Sequence, residues 1–114
     1  MNAISTSKEL HDLLALSQET PFVIYKHSST CPISASAQDR LAEGIEEGLL
    51  DPKQIYKLVV QTARDVSKEV EEELEVRHET PQVVVIKEGS AVYDTSHGDI
   101  SAQELQEILE KCDE

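Results

Sequence analysis

The chain has 114 residues, 39% of them hydrophobic, and 23 acidic against 10 basic residues give it a formal net charge of −13. This length suits one domain over residues 1–114 with a single core, and no apolar run approaches the roughly 18 residues that a membrane span needs. The scattered basic residues argue against nucleic acid and anionic membranes as partners, because both are bound through basic surfaces.

The first half of the chain alternates helices and strands. A capping-box pattern at Thr6–Glu9, followed by leucines at helical spacing, predicts a helix over Ser7–Leu16. The apolar run Phe22–Tyr25 predicts a central strand covered on both faces, because strand formers follow one another there without alternation. After a turn over residues 26–30, apolar residues at every fourth position predict an amphipathic helix that stops around Gly48; they are Ile33, Ala37, Leu41 and Ile45.

The second half ends in a hairpin and a helix. Residues 55–60 predict a second apolar strand, and Val66, Val70 and Leu74 mark a helix with an acidic outer face. Residues 82–86 predict a buried strand, which the turn at residues 88–90 folds back onto a partner over residues 91–95. A second capping-box spacing at Ser101–Glu104 opens the last helix.

These elements predict an α/β fold with the order αβαβαββα. The first two strands are joined through a helix and should be parallel, whereas the last two form an antiparallel hairpin that joins the same sheet. We therefore expect a four-stranded mixed sheet with helices on both faces.

Cys31 stands where an apolar strand ends and an amphipathic helix begins. Pro32 suits the first helical position, which makes Cys31 the expected N-cap. The unpaired NH groups of Ile33 and Ser34 and the helix dipole would then favour thiolate over thiol. Cys31 is therefore the predicted nucleophile, with Thr30, Pro32, Ile33 and Ser34 supporting its thiolate; the alternative is a buried structural cysteine.

A strand, then Cys-Pro at a helix start, then Thr80-Pro81 before a hairpin resembles the thioredoxin superfamily over essentially the whole chain. More closely, the segment Ser29–Ser34 resembles the active-site motif of the YtxJ family, the monothiol bacilliredoxins of bacillithiol-using bacteria. The resemblance implies a thioredoxin-like fold and an enzyme that removes bacillithiol from mixed disulfides on cytoplasmic proteins. Bacillithiol is then the co-substrate, with no bound cofactor.

Ser34 occupies the position three residues after Cys31 where a dithiol oxidoreductase has its second cysteine. A hydroxyl cannot form a disulfide, so a second small thiol or a partner redoxin must release the Cys31 mixed disulfide. Cys112 cannot resolve it from the far end of the last helix, since eleven helical residues rise roughly 16 Å and a disulfide needs Cα atoms within roughly 7 Å. An idle Cys112 or its intermolecular oxidation both stay open.

The resemblance also implies a cis peptide bond before Pro81, which frees the backbone of Thr80 to pair with an extended substrate. The alternative is a trans proline that starts a strand. Lys26, His27 and His97 are expected near the same rim of the sheet, where a cation suits the malate carboxylates of bacillithiol or the thiolate; the alternative is ordinary surface side chains. His11 and His78 lack partners at metal-ligand spacing, and we expect no metal.

Compartment and alternative functions complete the predictions. The first residues lack a secretory signal and two distant cysteines do not form a disulfide framework, so we expect a cytoplasmic protein. Two other functions stay open: an iron–sulfur carrier like the monothiol glutaredoxins, which typically carry Cys-Gly-Phe-Ser, and a redox-sensing or binding module in which thiolation of Cys31 changes a partner contact. The residues alone do not distinguish bacillithiol from glutathione or coenzyme A.

Overall fold

A five-stranded mixed sheet forms the centre of the computed structural model, which describes residues 1–112. The elements in chain order are β1 (Asn2–Ala3), α1 (Ser7–Leu16), β2 (Phe22–His27), α2 (Pro32–Glu46), β3 (Ile55–Val59), α3 (Arg64–Leu74), β4 (Gln82–Lys87), β5 (Ser90–Ser96) and α4 (Ala102–Cys112). Short 3-10 turns at Pro52–Gln54 and His97–Asp99 precede β3 and α4. The predicted domain over residues 1–114 thus includes two residues outside the described part.

The strand order is β1-β3-β2-β4-β5. β1, β3 and β2 are parallel, and β4 and β5 add an antiparallel hairpin to the β2 edge, as predicted. The predicted number of four strands is wrong, because β1 adds a fifth. That strand has only two residues, paired with Tyr56 and Lys57 of β3, so it arises from pairing with a distant segment and leaves no periodicity in the sequence.

Helices cover both faces of the sheet, which confirms the predicted arrangement. On one face, α1 and α3 pack over a core that includes Leu10, Ile24, Leu58, Val70 and Val84. On the other, α2 and α4 pack over a core that includes Val23, Leu41, Ile55, Val85 and Leu105. Within residues 1–112, no helix is both long and apolar enough to cross a membrane.

The two predicted capping boxes have different outcomes. At α1 both halves form: the Thr6 hydroxyl accepts from the Glu9 NH at 3.1 Å, and the Glu9 carboxylate accepts from the Thr6 NH at 3.0 Å. Before α4, the Ser101 hydroxyl accepts from the Glu104 NH at 3.3 Å, but the Glu104 carboxylate accepts from the Tyr93 hydroxyl at 2.7 Å. Partial burial and this bond raise the pKa of Tyr93 to about 12, and the bond ties α4 to β5.

Two local features determine which residues meet at the end of the sheet where Cys31 lies. β2 runs to His27, two residues beyond the predicted strand, because Lys26 and His27 pair with Leu58 and Val59 of β3. Between β4 and β5, Glu88 and Gly89 both have positive φ, 54° and 75°, as a two-residue hairpin turn of type I′ requires. Gln82 of β4 therefore lies between Lys26 and Ser96 in the ladder.

Candidate functional site

Cys31 is the N-cap residue of α2, and Pro32 is its first helical residue, as predicted. The Cys31 backbone is extended, and its carbonyl accepts the first helical hydrogen bond from the Ala35 NH at 3.1 Å. The Ser34 NH is the largest cause of a lowered pKa of the Cys31 thiol; burial opposes it, while the Ile33 NH and the Ser34 hydroxyl add to it. Within residues 1–112 the Cys31 side chain accepts no capping hydrogen bond, and the positive end of the α2 dipole also favours the thiolate.

Ser34 is fully buried beneath the thiol and is held on two sides. Its hydroxyl oxygen accepts from the Ser28 NH at 3.2 Å, which leaves its own proton available to the sulfur. Its carbonyl accepts from the Tyr25 hydroxyl at 2.9 Å. The fourth position of the motif is therefore a fixed donor site, with no thiol that could resolve a mixed disulfide.

His27 supports this arrangement from below. The single Tyr25 hydroxyl proton goes to Ser34, so the 2.7 Å contact between Tyr25 Oη and His27 Nδ1 is one in which Nδ1–H donates. Burial, with a contribution from Lys57, lowers the pKa of His27, which favours the neutral form of the ring. The His27 ring is therefore buried rather than an ordinary surface side chain, and its direct contact with substrate stays a prediction.

Lys26 is not at the surface either. Its side chain is fully buried, and Nζ donates to Nδ1 of His78 at 3.0 Å. Burial lowers the pKa of Lys26 against the opposing charge of Glu71, and burial together with Lys26 lowers the pKa of His78. Lys26 is therefore not an ordinary surface side chain, and its direct contact with substrate stays a prediction. The partner of His78 is a lysine, which is not a metal ligand.

His97 lies beside Pro81 and is exposed. Its NH donates to the Pro81 carbonyl at 2.9 Å, and its ring Nε2 lies 3.7 Å from a Glu79 carboxylate oxygen. Its carbonyl accepts from the Arg40 guanidinium of α2 at 2.9 Å, and the same guanidinium donates to the Ile100 carbonyl. Arg40 thus fixes the His97 loop against the helix that carries Cys31, a contact that joins residues 57 positions apart and that helical periodicity could not reveal.

The peptide bond between Thr80 and Pro81 is cis, which is the geometry that the resemblance implied. Gln82 follows directly and pairs with Lys26 of β2, so Pro81 lies at the same end of the sheet as the loop that leads to Cys31. Thr80 is partly exposed. A role for its backbone in holding an extended substrate stays a prediction.

Gln61 is a site residue that sequence reasoning missed. Its Oε1 accepts from the Ser29 NH at 3.1 Å, and its Nε2 donates to the Ser28 hydroxyl at 2.7 Å and to the Thr30 hydroxyl at 3.4 Å. One side chain therefore holds all three residues before Cys31. A signal was present, because Gln61 and Ser28 both follow neighbouring parallel strands, whose carboxyl ends meet at one edge of the sheet.

His11 forms an ion-pair cluster with two carboxylates of α3. His11 Nε2 lies 2.9 Å from a Glu73 oxygen and 3.5 Å from a Glu69 oxygen, and Glu73 is the main cause of a raised pKa of His11. The prediction that His11 has no partners at metal-ligand spacing is wrong, because ligand atoms of His11, Glu69 and Glu73 lie within 4.8 Å of one another. Ion pairing between α1 and α3 accounts for this exposed cluster.

Cys112 is the last residue of α4 and packs, partly buried, against the core on the α2 side. α4 begins at Ala102, soon after the His97 turn near the Cys31 end of the sheet, and eleven helical residues carry the chain roughly 15 Å along the helix axis. This placement agrees with the prediction that Cys112 is too far away to resolve a Cys31 disulfide.

Comparisons with known proteins bear on the chemistry and on the fold. A family model described as monothiol bacilliredoxin BrxC matches residues 2–105. A solved structure described as a proposed oxidoreductase with a thioredoxin fold is 30% identical, with a TM-score of 0.79 over 99% of this chain and 93% of the other.

Two thioredoxins show the same fold at lower identity. Fasciola hepatica thioredoxin is 18% identical, with a TM-score of 0.72 over 97% of this chain and 98% of the other. Oxidised mitochondrial thioredoxin 3 from Saccharomyces cerevisiae is 19% identical, with a TM-score of 0.72 over 97% and 94%. The predicted thioredoxin-like fold is thereby confirmed.

Proposed function

Because the chain belongs to the monothiol bacilliredoxin family BrxC and is a thiol-disulfide oxidoreductase, we propose that it removes bacillithiol from S-bacillithiolated proteins through Cys31. The observation that carries the proposal is the single thiol at the N-terminus of α2, with a lowered pKa and a serine in place of a second cysteine. Such a site can take over a small thiol as a mixed disulfide but cannot expel it with a neighbouring cysteine.

The transfer step balances without an external oxidant. The Cys31 thiolate attacks the bacillithiol sulfur of the client mixed disulfide; a Cys31–bacillithiol disulfide forms while the client–bacillithiol disulfide breaks. The electron pair of the broken bond leaves on the client sulfur, which departs as a thiolate and takes up a proton from water. Ser34 and the helix N-terminus favour the thiolate before attack.

The release step needs a second thiol. A free bacillithiol, as thiolate, attacks the bacillithiol sulfur on Cys31, which yields bacillithiol disulfide and the Cys31 thiolate; a redoxin partner with its own cysteine could perform the same displacement. In this proposal Thr80 and Pro81 hold the backbone of the client during the first step. We place this reaction in the cytoplasm, with bacillithiolated proteins as clients and no bound cofactor.

The test is intact-protein mass spectrometry after mixing the chain with a bacillithiolated client. Wild type should gain one bacillithiol while the client loses one, and a glutathionylated client should lose its adduct much more slowly. Cys31→Ser should gain nothing. Cys112→Ser is the matched control because it keeps the same number of thiols as Cys31→Ser, and it should behave as wild type.

Two outcomes would contradict the proposal. A bacillithiolated client that stays intact, although Cys31 reacts readily with an alkylating agent, would favour a redox-sensing or binding module. A brown protein with cluster absorbance after anaerobic reconstitution, and no transfer, would favour an iron–sulfur carrier. Equal transfer from the two clients would support a thioltransferase but remove the selectivity for bacillithiol.

A further inference from the structure

A groove of about 390 Å³ lies beside the active-site loop. It runs between α3, the chain that follows β3 and the segment before Thr80, and its lining consists of Val60, Gln61, Arg64, Ser67, Lys68, Glu71 and His78. The volume falls in the range of small-molecule sites, roughly 300–1,000 Å³. Gln61 holds the loop before Cys31, and the transfer and release steps proposed above use none of the lining residues.

The groove is basic in a strongly acidic protein. Arg64 and Lys68 are four residues apart on α3 and therefore project from the same face. Within residues 1–112, the Arg64 side chain has no hydrogen bond or ion pair, and Lys68 has only an exposed contact of 3.9 Å with Glu72. Because the whole chain carries a net charge of −13, a dianion is repelled from most of its surface, and these two cations are what can hold one here.

Glu71 is the acidic member of the lining, so one negative side chain stands against the two positive ones. Its carboxylate accepts from the His78 NH at 2.8 Å, and the buried Lys26 ammonium contacts the ring of the same histidine. Arg64 is also the first residue of α3, whose N-cap residue Ala63 has no side-chain oxygen to occupy the free NH groups. The positive end of this helix thus adds to the field of the two side chains.

The groove and the loop before Cys31 share one residue, Gln61. Gln61 lines it and also binds Ser28, Ser29 and Thr30, the residues directly before the thiol. On its other side His78 leads within two residues to Thr80 and the cis bond. A molecule joined to the Cys31 sulfur that enters the groove would pass Gln61 on its way to Arg64.

We propose that this groove binds the malate group of bacillithiol, with Arg64 and Lys68 holding its two carboxylates while the thiol sulfur is at Cys31. The inference rests on the proposed function and gives it a source of thiol selectivity. It moves the predicted cation contact from Lys26 and His27, which are buried, to two exposed residues of α3. A guanidinium and an ammonium on one face suit two carboxylates on adjacent carbons.

The first test uses a ligand that cannot react with Cys31. Glucosaminyl malate, which is bacillithiol without its cysteine, is titrated into the ¹⁵N-labelled chain and followed by NMR. The amide signals of Arg64, Lys68 and His78 should shift in a saturable way. Methyl glucosaminide, which lacks malate, should leave them in place. Arg64→Gln and Lys68→Gln should each weaken the binding about tenfold.

Lys53→Gln is the matched control for both variants. It removes one exposed positive charge at the start of β3, whereas the groove lies at the other end of that strand, so binding should be unchanged. A second measurement compares rates of Cys31 mixed-disulfide formation: the two α3 variants should slow transfer from a bacillithiolated client about tenfold but leave the reaction with hydroxyethyl disulfide, which is uncharged, unaffected.

The outcomes separate this inference from the proposed function. Groove amides that do not respond to glucosaminyl malate, or variants that bind it as wild type does, would overturn the inference even if Cys31 accepts bacillithiol. Saturable shifts in a chain that accepts no bacillithiol would support the groove site and refute the catalytic proposal. Equal shifts with S-methylglutathione would overturn the assignment to malate.

Discussion

At the scale of single residues, Ser34 decides both the mechanism and the reactivity of the thiol. It cannot resolve a disulfide, and its NH and hydroxyl both lower the pKa of Cys31. The contributions of the NH and of the hydroxyl to the pKa can be separated, because the NH belongs to the backbone and stays when the side chain is replaced. Replacing the hydroxyl therefore tests the smaller contribution while the larger one stays in place.

We expect Ser34→Ala to raise the pKa of the Cys31 thiol and so to lower the thiolate fraction at every pH below that pKa. The measurement is the rate of alkylation by monobromobimane against pH in the Cys112→Ser background, where only Cys31 reacts. The acid limb of the profile should move to higher pH. Ser29→Ala, an exposed serine in the same loop, is the control; an identical profile for both variants would contradict a role for the Ser34 hydroxyl.

Gln61 is the residue expected to hold the active-site loop. Gln61→Ala removes three hydrogen bonds and should lower the free energy of unfolding by about 1–2 kcal/mol, since each bond contributes about 0.5–1.5 kcal/mol and these are partly exposed. Hydrogen exchange of the Ser29 NH should become faster, because its acceptor is lost.

Gln61→Glu is the informative companion of that variant. A carboxylate can still accept from the Ser29 NH but cannot donate to the hydroxyls of Ser28 and Thr30. Protection of the Ser29 NH should therefore persist in Gln61→Glu and disappear in Gln61→Ala. Equal protection in both variants would show that the loop is held by its own turn, through the bond from the Cys31 NH to the Ser28 carbonyl.

At the scale of elements, the contact between α2 and α4 depends on a glycine. A Cβ on Gly44 would collide with the Ala102 side chain at the start of α4. Gly44→Ala would gain about 1 kcal/mol from helix propensity but lose about 1–3 kcal/mol through overpacking. We expect a net loss of up to about 2 kcal/mol, or up to about 8 °C in the thermal midpoint.

Two further variants make the Gly44 prediction specific. Ala102→Gly in the Gly44→Ala background removes the colliding methyl group and should restore most of the lost stability. Gly98→Ala is the control, because a Cβ there meets nothing within 4 Å. Thermal unfolding followed by circular dichroism measures all of them; a stabilised Gly44→Ala would contradict the close packing of the two helices.

The helices and strands also show which parts of the fold could be predicted from the sequence. The signals of α1, the Thr6 capping box and the leucine spacing, lie within the helix itself, and its predicted bounds are those observed. β1 and the inward course of Lys26 depend on partners far along the chain, Tyr56 and His78. A polar pair after an apolar run is typical of a strand end, and only the distant partner shows that the strand continues.

At the scale of the whole molecule, the site occupies the edge where the parallel strands β2 and β3 end. Cys31 follows β2, and Gln61 and Arg64 follow β3, so the crossover geometry of the sheet brings thiol, loop support and basic groove together. Cys31 and Pro81 could be predicted from the sequence because each belongs to a local motif. Gln61 and the groove could be predicted only from the neighbouring positions of β2 and β3 in the sheet, because a helix separates these two strands in the sequence.

The net charge of −13 is also a property of the whole molecule, and it opposes the folded state through repulsion among carboxylates. Exposed ion pairs such as Lys8–Asp12 offset this weakly, since each contributes about 0–1 kcal/mol. We therefore expect the thermal midpoint at neutral pH to rise when salt goes from about 10 mM to about 300 mM, because the screening length becomes shorter than the spacing of most surface charges. Near the isoelectric point, about 4.6, the same change should have little effect. A midpoint that falls with salt at neutral pH would mean that the ion pairs, including those of His11 with α3, outweigh the repulsion.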